Sequence, residues 1–164
     1  MSPLKRTWAP RGQTPTIRTS IQHHERVNLI GALRLSPTGR QIRLHYQIRR
    51  QPMNGAAVLK FLKHLLRAVS GPIVLLWDRH PIPKRHMIEQ YLASHPRVHP
   101  YELPVAAPEL NPTEYVWTQV SDYTANSAPR DACELHANVL AGVTRTRRSV
   151  SRLGACIVAS GLPL

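Results

Sequence analysis

The sequence predicts one α/β domain, in which a mixed sheet is flanked by helices. Three features lead to this prediction: two strand-like segments joined by a turn, an apolar run near the middle of the chain, and helical apolar stripes that alternate with the later strands. The predicted order is β-β-α-β-α-β-α-α. The 164 residues suffice for a single domain with its own core.

A β-hairpin opens the regular structure. Residues 27–35 are largely apolar, and residues 41–49 alternate apolar with polar side chains. Between them, the sequence Ser-Pro-Thr-Gly at residues 36–39 is typical of a turn. On the second strand we expect one face to point to the core, and its side chains are Ile42, Leu44, Tyr46 and Ile48.

Two further strands are predicted later in the chain. The run Ile73–Trp77 is continuously apolar, which predicts a strand covered on both faces. Residues 98–103 form a shorter strand that contains Pro100. Because proline cannot donate a backbone hydrogen bond, we expect this strand near a sheet edge.

Four helices follow from helical apolar spacing. They cover residues 56–70, 84–94, 112 to about 123, and 131 into the 140s. Pro83 precedes the second helix and Pro112 begins the third, since proline favours the first helical position. Residues 154–164 receive no assignment.

Positive charge is concentrated in the first half of the chain. The net charge is +13, and residues 1–77 hold 13 Lys and Arg against one acid, Glu25. Residues 78–164 hold nine Lys and Arg against eight acids. This asymmetry favours nucleic acid as a partner over the alternative of a merely solvated basic face. Residues 1–20 are predicted to form a basic extended arm ahead of the domain at residues 21–164.

The candidate DNA contacts lie in this arm and at two helices. They are Arg6, Arg11, Lys60, Lys63, Lys84 and Arg85, with further cations at Arg18, Arg43, Arg49, Arg50 and Arg67. Such contacts to phosphate give affinity without reading sequence. Trp8 in the arm could stack on a base, but a lone tryptophan between proline-rich turns more often packs on the domain, and we expect packing.

Composition excludes several other classes of protein. Cys133 and Cys156 are isolated, without the spacing of a zinc site or of a disulfide framework, so we expect both to be reduced. No apolar run reaches membrane-spanning length, and residues 1–6 lack the apolar stretch of a signal peptide. A cytoplasmic protein without a membrane partner is the expectation.

Two acids occupy positions that suit metal chemistry. Asp78 follows the apolar strand, and Glu114 lies in the first turn of a predicted helix. Nucleases and strand-transfer enzymes hold two divalent cations with clustered carboxylates. Both acids also have simpler explanations, since Asp78 could merely end a strand and Glu114 could complete a capping box with Asn111. On spacing alone, the catalytic interpretation is the less favoured one.

Local sequence changes that balance. The stretch I-V-L-L-W-D-R-H at residues 73–80 and the stretch L-P-V-A-A-P-E-L-N-P-T-E-Y-V-W at residues 103–117 closely resemble the DDE transposases of the mariner-like superfamily and their bacterial insertion-sequence relatives. The segment K-R-T-W-A-P-R-G-Q-T-P at residues 5–15 resembles the linker that follows the first strand of that family. The likeness runs to about Trp117, and its L-N-P-x-E-x-x-W block is specific.

The resemblance implies an RNase H-like fold and an enzyme that cleaves and joins DNA strands with Mg²⁺ or Mn²⁺ in a two-metal site. By position, Asp78 matches the second catalytic acid of the family and Glu114 matches the third. Asn111 and Pro112 match residues that shape the loop around the third acid. The partners implied are transposon ends and target DNA.

One part of the family pattern has no counterpart here. The first catalytic Asp of the family lies on a strand ahead of the W-A-P-R-G segment, and residues 1–7 contain no acid. Glu25 is a poor substitute, because it lies in a polar stretch. His80 and His86 are expected to be ordinary surface residues rather than metal ligands. We therefore expect a partial RNase H-like domain without its first strand, with little or no strand cleavage by the isolated chain.

Three functional hypotheses remain. The first is a fragment of a DDE transposase, catalytically incomplete, which an upstream transposase segment could complement or which could form a homodimer. The second is a non-enzymatic, basic nucleic-acid-binding remnant. The third, a basic RNA-associated structural protein, is disfavoured because both motif blocks would then be coincidence.

Overall fold

A computed structural model describes residues 5–16, 26–78 and 85–162 of the chain. The mixed α/β class predicted from the sequence is confirmed. The elements in chain order are β1 (Asn28–Leu35), β2 (Ile42–Arg49), α1 (Gly55–Ala68), β3 (Ile73–Trp77), α2 (Arg85–Ala93), β4 (Val98–Glu102), a 3₁₀ helix (Pro108–Leu110), α3 (Pro112–Thr124), α4 (Ala132–Arg147) and α5 (Val150–Ala159).

The hairpin forms as predicted. β1 and β2 pair antiparallel, with Leu33 opposite Leu44. In the turn, the Ser36 N–H donates to the Gln41 carbonyl at 2.9 Å. Gly39 has a φ of 69°, a left-handed conformation that glycine adopts without steric cost. The turn sequence therefore fixes the register that brings the apolar residues of the two strands onto one face.

The four strands form two separate sheets rather than one. β3 and β4 pair in parallel, from Ile73 opposite Val98 to Trp77 opposite Glu102. Within the described ranges, β1 hydrogen-bonds only with β2, and β3 only with β4. Each sheet therefore has two strands, and every strand has one edge without a neighbouring strand.

Two apolar clusters make up the core. The first lies between the hairpin and helices α3 to α5, and its buried members are Leu44, Val116, Val120, Leu135, Val139, Val143, Leu153 and Cys156. The second lies between α1, α2 and the β3/β4 pair, and its buried members are Val58, Phe61, Leu62, Leu65, Leu66, Ile88, Leu92 and Val98.

β1 belongs to both clusters. Leu29 and Leu33 pack against the first cluster, whereas Ile30 and Ala32 pack against the second. Successive side chains of a strand point to opposite faces, so a largely apolar strand can serve two cores at once. The apolar character of residues 27–35, unlike the alternation in β2, is thereby explained.

α1 links the hairpin to the parallel pair. Its N-terminus is capped by Asn54, whose Oδ1 accepts from the Ala57 N–H at 3.0 Å. At its other end, the Arg97 guanidinium donates to the carbonyls of Leu66, of Val69 at 2.7 Å and of Gly71 at 2.9 Å. A cation is favourable at a helix C-terminus, where carbonyls lack helical partners. Arg97 thus ties the end of α1 to the segment that enters β4.

The prediction that β3 is covered on both faces is wrong. Ile73, Leu75 and Trp77 pack into the second cluster, but Val74 is 67% exposed and Leu76 is 42% exposed. The reason is the distribution of the helices, since α1 and α2 cover one face of this sheet while α3 to α5 pack on the hairpin. The composition of a strand alone does not show whether helices pack on one or on both of its faces.

The helices agree with their predictions within a few residues, with one addition. α1, α2, α3 and α4 lie in the four predicted ranges. The predicted start of α2 at Lys84 lies outside the described residues, as do Arg18, Glu25 and His80. α5 was not predicted, although Ser149 caps it by accepting from the Arg152 N–H at 3.3 Å. Its buried Leu153, Cys156 and Ile157 have helical spacing.

The described part of the arm, residues 5–16, contains no helix or strand. Lys5 anchors it to the end of α3 through an ion pair with Asp122 and a backbone hydrogen bond to Asn126 Oδ1 at 2.9 Å. The expectation that Trp8 packs on the domain is wrong, because its side chain is 100% exposed. The anchor of the arm is polar, and the indole takes no part in it.

Neither cysteine forms a disulfide, as expected. Cys133 is exposed and Cys156 is buried in the first cluster. Burial raises the pKa of the Cys156 thiol. Its Sγ accepts a hydrogen bond from Gln119 Nε2 at 3.2 Å, so this thiol joins α5 to α3.

The surroundings of His45 on β2 disfavour its charged form, which lowers its pKa. Burial lowers the pKa of His45, and the nearby charges of Arg34, Arg147 and Arg43 lower it further. Its Nε2 is buried and has no hydrogen-bond partner among the described residues. The folded protein therefore binds a proton at His45 less readily than the unfolded chain, whose histidine keeps an ordinary pKa of 6.5.

We predict that His45 makes the fold less stable in mild acid. As pH falls through 6.5, the unfolded chain gains a proton that the folded state resists, so stability decreases until the lowered folded pKa is passed. Urea midpoints measured from about pH 7.5 to about pH 5 should fall less in His45→Gln than in the native chain. The exposed His99 provides a control, and His99→Gln should follow the native curve. Identical pH profiles for His45→Gln and the native chain would contradict this account.

Candidate active site

Asp78 lies where β3 ends. The preceding Trp77 packs into the second cluster, and its carbonyl accepts from the Leu103 N–H at 2.8 Å. The packed indole and this backbone hydrogen bond together fix the position of the strand end. The Asp78 residue itself is exposed. Side chains that follow parallel strands face the crevice where α/β proteins bind their ligands.

A second acid lies at the same edge of the parallel pair. Glu102 ends β4 directly opposite Trp77. Its carboxylate pairs with Arg85, which also donates to Glu89 at 2.9 Å. Sequence reasoning did not single out Glu102, although its place at the end of the neighbouring strand was a usable signal. Because Arg85 already pairs with these two carboxylates, its charge is largely neutralised.

Glu114 lies in the first turn of α3, on the next element along the chain. Asn111 caps this helix by accepting from the Thr113 N–H at 3.0 Å, and Pro112 is the first helical residue. A capping box would also need the Glu114 side chain to accept from the Asn111 N–H. That N–H donates instead to the Pro108 carbonyl at 3.0 Å. Asn111 therefore caps the helix alone, and the exposed Glu114 side chain is not engaged in this cap.

Trp117 fixes the position of this helix start. It lies three residues after Glu114, close to one helical turn, and packs against the first cluster. Its ring lies over Gly31 of β1, so closely that a Cβ at Gly31 would be 2.7 Å from the ring carbons Cζ2 and Cη2. Only glycine allows this approach, which explains why a glycine interrupts an apolar strand.

The two acids are thus carried by elements that are anchored in different clusters. Trp77 fixes the strand that carries Asp78 in the second cluster, and Trp117 fixes the helix that carries Glu114 in the first. β1 lines both clusters and is the element through which the two anchors are related. The cation site that Asp78 and Glu114 are expected to share stays a prediction.

The described residues contain no group of three or more His, Cys, Asp or Glu side chains arranged to hold a metal ion. The same ranges contain no helix with both the length and the apolar character needed to cross a membrane.

A family comparison decides the assignment of the chain. The model of a family described as DDE superfamily endonuclease matches residues 1–136, most of the chain. The chain belongs to this family. No match was found among curated proteins or among solved structures. The resemblance carried by the W-D and L-N-P-x-E-x-x-W blocks is thereby confirmed.

Membership in this family has consequences for the fold, the cofactor and the substrate. The mixed α/β architecture is consistent with the RNase H-like fold of these enzymes. DDE superfamily endonucleases depend on divalent cations and act on DNA, which supports a transposase-like nuclease function.

The predicted DNA contacts of this DDE-family chain lie on three surfaces. Arg6 and Arg11 are exposed in the arm, and Lys60 and Lys63 are exposed on α1. Arg85 begins α2 and is paired with acids, as described above. Lys84 lies outside the described residues. Of these surfaces, only α1 brings several of the predicted cations onto one ordered element.

We predict that Gly31 and Trp117 are energetically coupled. Gly31→Ala should destabilise the fold by about 1–3 kcal/mol, because the new methyl group overlaps the Trp117 ring. In a Trp117→Leu background, the smaller side chain removes that overlap, so the same substitution should cost much less. Urea unfolding of the native chain, both single variants and the double variant measures the coupling. Strictly additive effects would show that the ring and the strand are independent.

Proposed function

We propose that this chain is part of a DDE transposase catalytic domain, which cleaves and joins DNA strands with Mg²⁺ or Mn²⁺. The observation that supports this proposal best is the family match over residues 1–136, because that range includes both motif blocks with their acids. The transposon ends and the target would be the DNA substrates. The strongly basic first half of the chain agrees with a DNA partner.

Asp78 and Glu114 are the proposed metal ligands. Carboxylate oxygens are the donors that Mg²⁺ prefers, and Mg²⁺ needs few protein ligands because water and substrate phosphate complete its shell. Both residues are exposed. Asp78 directly follows Trp77, which packs into the second cluster, and Glu114 lies three residues before Trp117, which packs against the first. Asp78 and Glu114 would hold such cations, which would supply activation of the attacking oxygen and stabilisation of the leaving oxygen.

The neighbouring residues have positioning roles in this proposal. Asn111 and Pro112 start α3 at a defined residue, so that the Glu114 side chain projects from the first turn. Trp77 fixes β3, whose end precedes Asp78, in the second cluster, and Trp117 fixes α3, which contains Glu114, against the first. Pre-organisation of this kind matters because a catalytic group displaced by about 1 Å can lose about a hundredfold in rate.

We further propose that a third carboxylate comes from outside residues 1–164, on a strand that lies between β1 and β3. Each of these strands pairs on one side only within the described ranges. An added strand could pair with both and join the two sheets into one, which would remove two unpaired edges. In this proposal the strand belongs to an upstream transposase segment. On this proposal, the chain alone has little or no cleavage activity.

We predict that Mn²⁺ binding by the purified chain requires both acids. Asp78→Asn and Glu114→Gln should each weaken binding by about tenfold or more, since even outer-shell partners of a metal contribute that much. Glu109→Gln is a matched control, because it removes one exposed acid from the same loop. Isothermal titration calorimetry of the four proteins provides the measurement. Unchanged binding in Asp78→Asn and Glu114→Gln would contradict the proposed ligand set.

Cleavage of supercoiled DNA with Mn²⁺ tests the catalytic part of the same prediction. The chain alone should give little or no nicking, and a chain extended by an Asp-bearing apolar strand should nick. Strong nicking by the chain alone, abolished in Asp78→Asn, would contradict the need for a third acid. If Mn²⁺ binding is absent while DNA binding is salt-sensitive and indifferent to Asp78→Asn, the protein is instead a non-enzymatic nucleic-acid-binding remnant.

A further inference from the structure

A groove of about 520 Å³ opens where β2 ends. Its walls come from three elements, namely the end of β2 with the residues that follow, α1 and α4. The polar side chains that line it are Gln47, Arg49, Arg50, Gln51, Lys60 and His136. Every one of them can donate a hydrogen bond, and three are permanent cations at neutral pH.

A second depression of about 350 Å³ lies along α1. Lys60 lines both depressions, so they adjoin each other, and together they are here called the basic groove. Beyond Lys60, the second depression is lined by Lys63, His64 and Arg67. These positions follow the i, i+3, i+4, i+7 spacing that places side chains on one helix face.

Among the residues that the structure describes, no acid lines either part of the basic groove. Five cations line it, at positions 49, 50, 60, 63 and 67. On an ordinary solvated helix face, acids alternate with cations and support them through pairs three or four residues apart. Here like charges are neighbours and repel one another. A bound anion would relieve this repulsion, so the surface favours anion binding.

Packing holds several of these cations in place. The apolar face of α1 is buried in the second cluster, which directs the opposite face to solvent. Arg50 donates to Cys133 Sγ on α4 at 2.9 Å, so its guanidinium spans from the end of β2 to the other wall. The Lys63 ammonium lies 5.5 Å from the centre of the Tyr91 ring, a cation–π contact. The charges are therefore presented by ordered elements.

We propose that the basic groove binds the phosphate backbone of duplex DNA without reading its sequence. This rests on the proposed function, which makes DNA the substrate, and it assigns the holding of DNA to a surface separate from the two acids. Lys60 and Arg67 are seven residues apart, or about 10 Å along the helix. A DNA strand carries one phosphate per about 3.4 Å of axis, so this face spans about three phosphates.

The experiment measures binding of the full chain to a labelled duplex of arbitrary sequence by fluorescence anisotropy, between about 50 and 200 mM salt. The groove variant carries Lys60→Gln, Lys63→Gln and Arg67→Gln, which remove three charges from helix positions that tolerate glutamine. We expect the slope of log affinity against log salt to decrease by about 2 to 3, since each neutralised phosphate contributes about 0.9. Arg49→Gln alone should decrease it by about 1.

A control variant distinguishes an effect of the groove residues from an effect of the net charge of the protein. Arg145→Gln, Arg148→Gln and Arg152→Gln remove three charges from exposed residues at α4 and α5 that line neither depression. Its affinity should stay within about twofold of the native value and its slope should be unchanged, because these charges do not touch the DNA. Circular dichroism and urea midpoints confirm that every variant folds.

Several outcomes would overturn the proposal. Equal weakening in the groove and control variants would show that only net charge matters. An unchanged groove variant, or no DNA binding by the native chain, would also refute it. The proposed function has its own readout, because loss of Mn²⁺ binding in Asp78→Asn concerns the metal site alone. DNA binding that needs Lys60, Lys63 and Arg67 in a chain that binds no Mn²⁺ would support the groove and refute the metal site.

Discussion

The packing of both faces of β1 against apolar clusters is the constraint on which the rest of this fold depends. One face of β1 packs with α3 to α5, and the other packs with α1 and the parallel pair. The two sheets share no hydrogen bonds within the described ranges, so apolar packing through β1 and α1 is what relates them. Such packing is strong in total but not directional, unlike a continuous ladder of strand hydrogen bonds. The relative placement of the two halves therefore rests on side-chain fit. Within the first half, the close approach of the Trp117 ring to Gly31 joins β1 to α3.

This constraint gives the motif tryptophans a physical role. Trp77 directly precedes the proposed ligand Asp78, and Trp117 lies about one helical turn after the proposed ligand Glu114. Each tryptophan packs into a different cluster. The sequence blocks that mark the DDE family thus combine an acid with the anchor that holds it. The basic groove lies on the outer face of α1, whose inner face supports the second cluster. One helix therefore serves both the core and the proposed contact with DNA.

The sequence predicted the features that depend on interactions between residues close together in the chain. The alternation in β2, the cap at Asn111 and the proline at the start of α3 all appear where expected, because they depend on neighbours in sequence. The exposure of Val74 and of Trp8 was not foreseen, because it depends on which helices pack nearby. Glu102 was missed for a related reason, since its nearness to Asp78 follows from the pairing of β3 with β4. The family blocks identified Asp78 and Glu114, while the groove required the placement of α4 beside β2.

The central claim is that Asp78 and Glu114 share a divalent cation. The most direct measurement is anomalous diffraction from crystals of the chain grown with Mn²⁺, together with a DNA duplex to fill the basic groove. The account predicts an anomalous peak within roughly 2.0–2.3 Å of carboxylate oxygens from both residues. Mn²⁺ bound to only one of them, with the other carboxylate directed elsewhere, would contradict it.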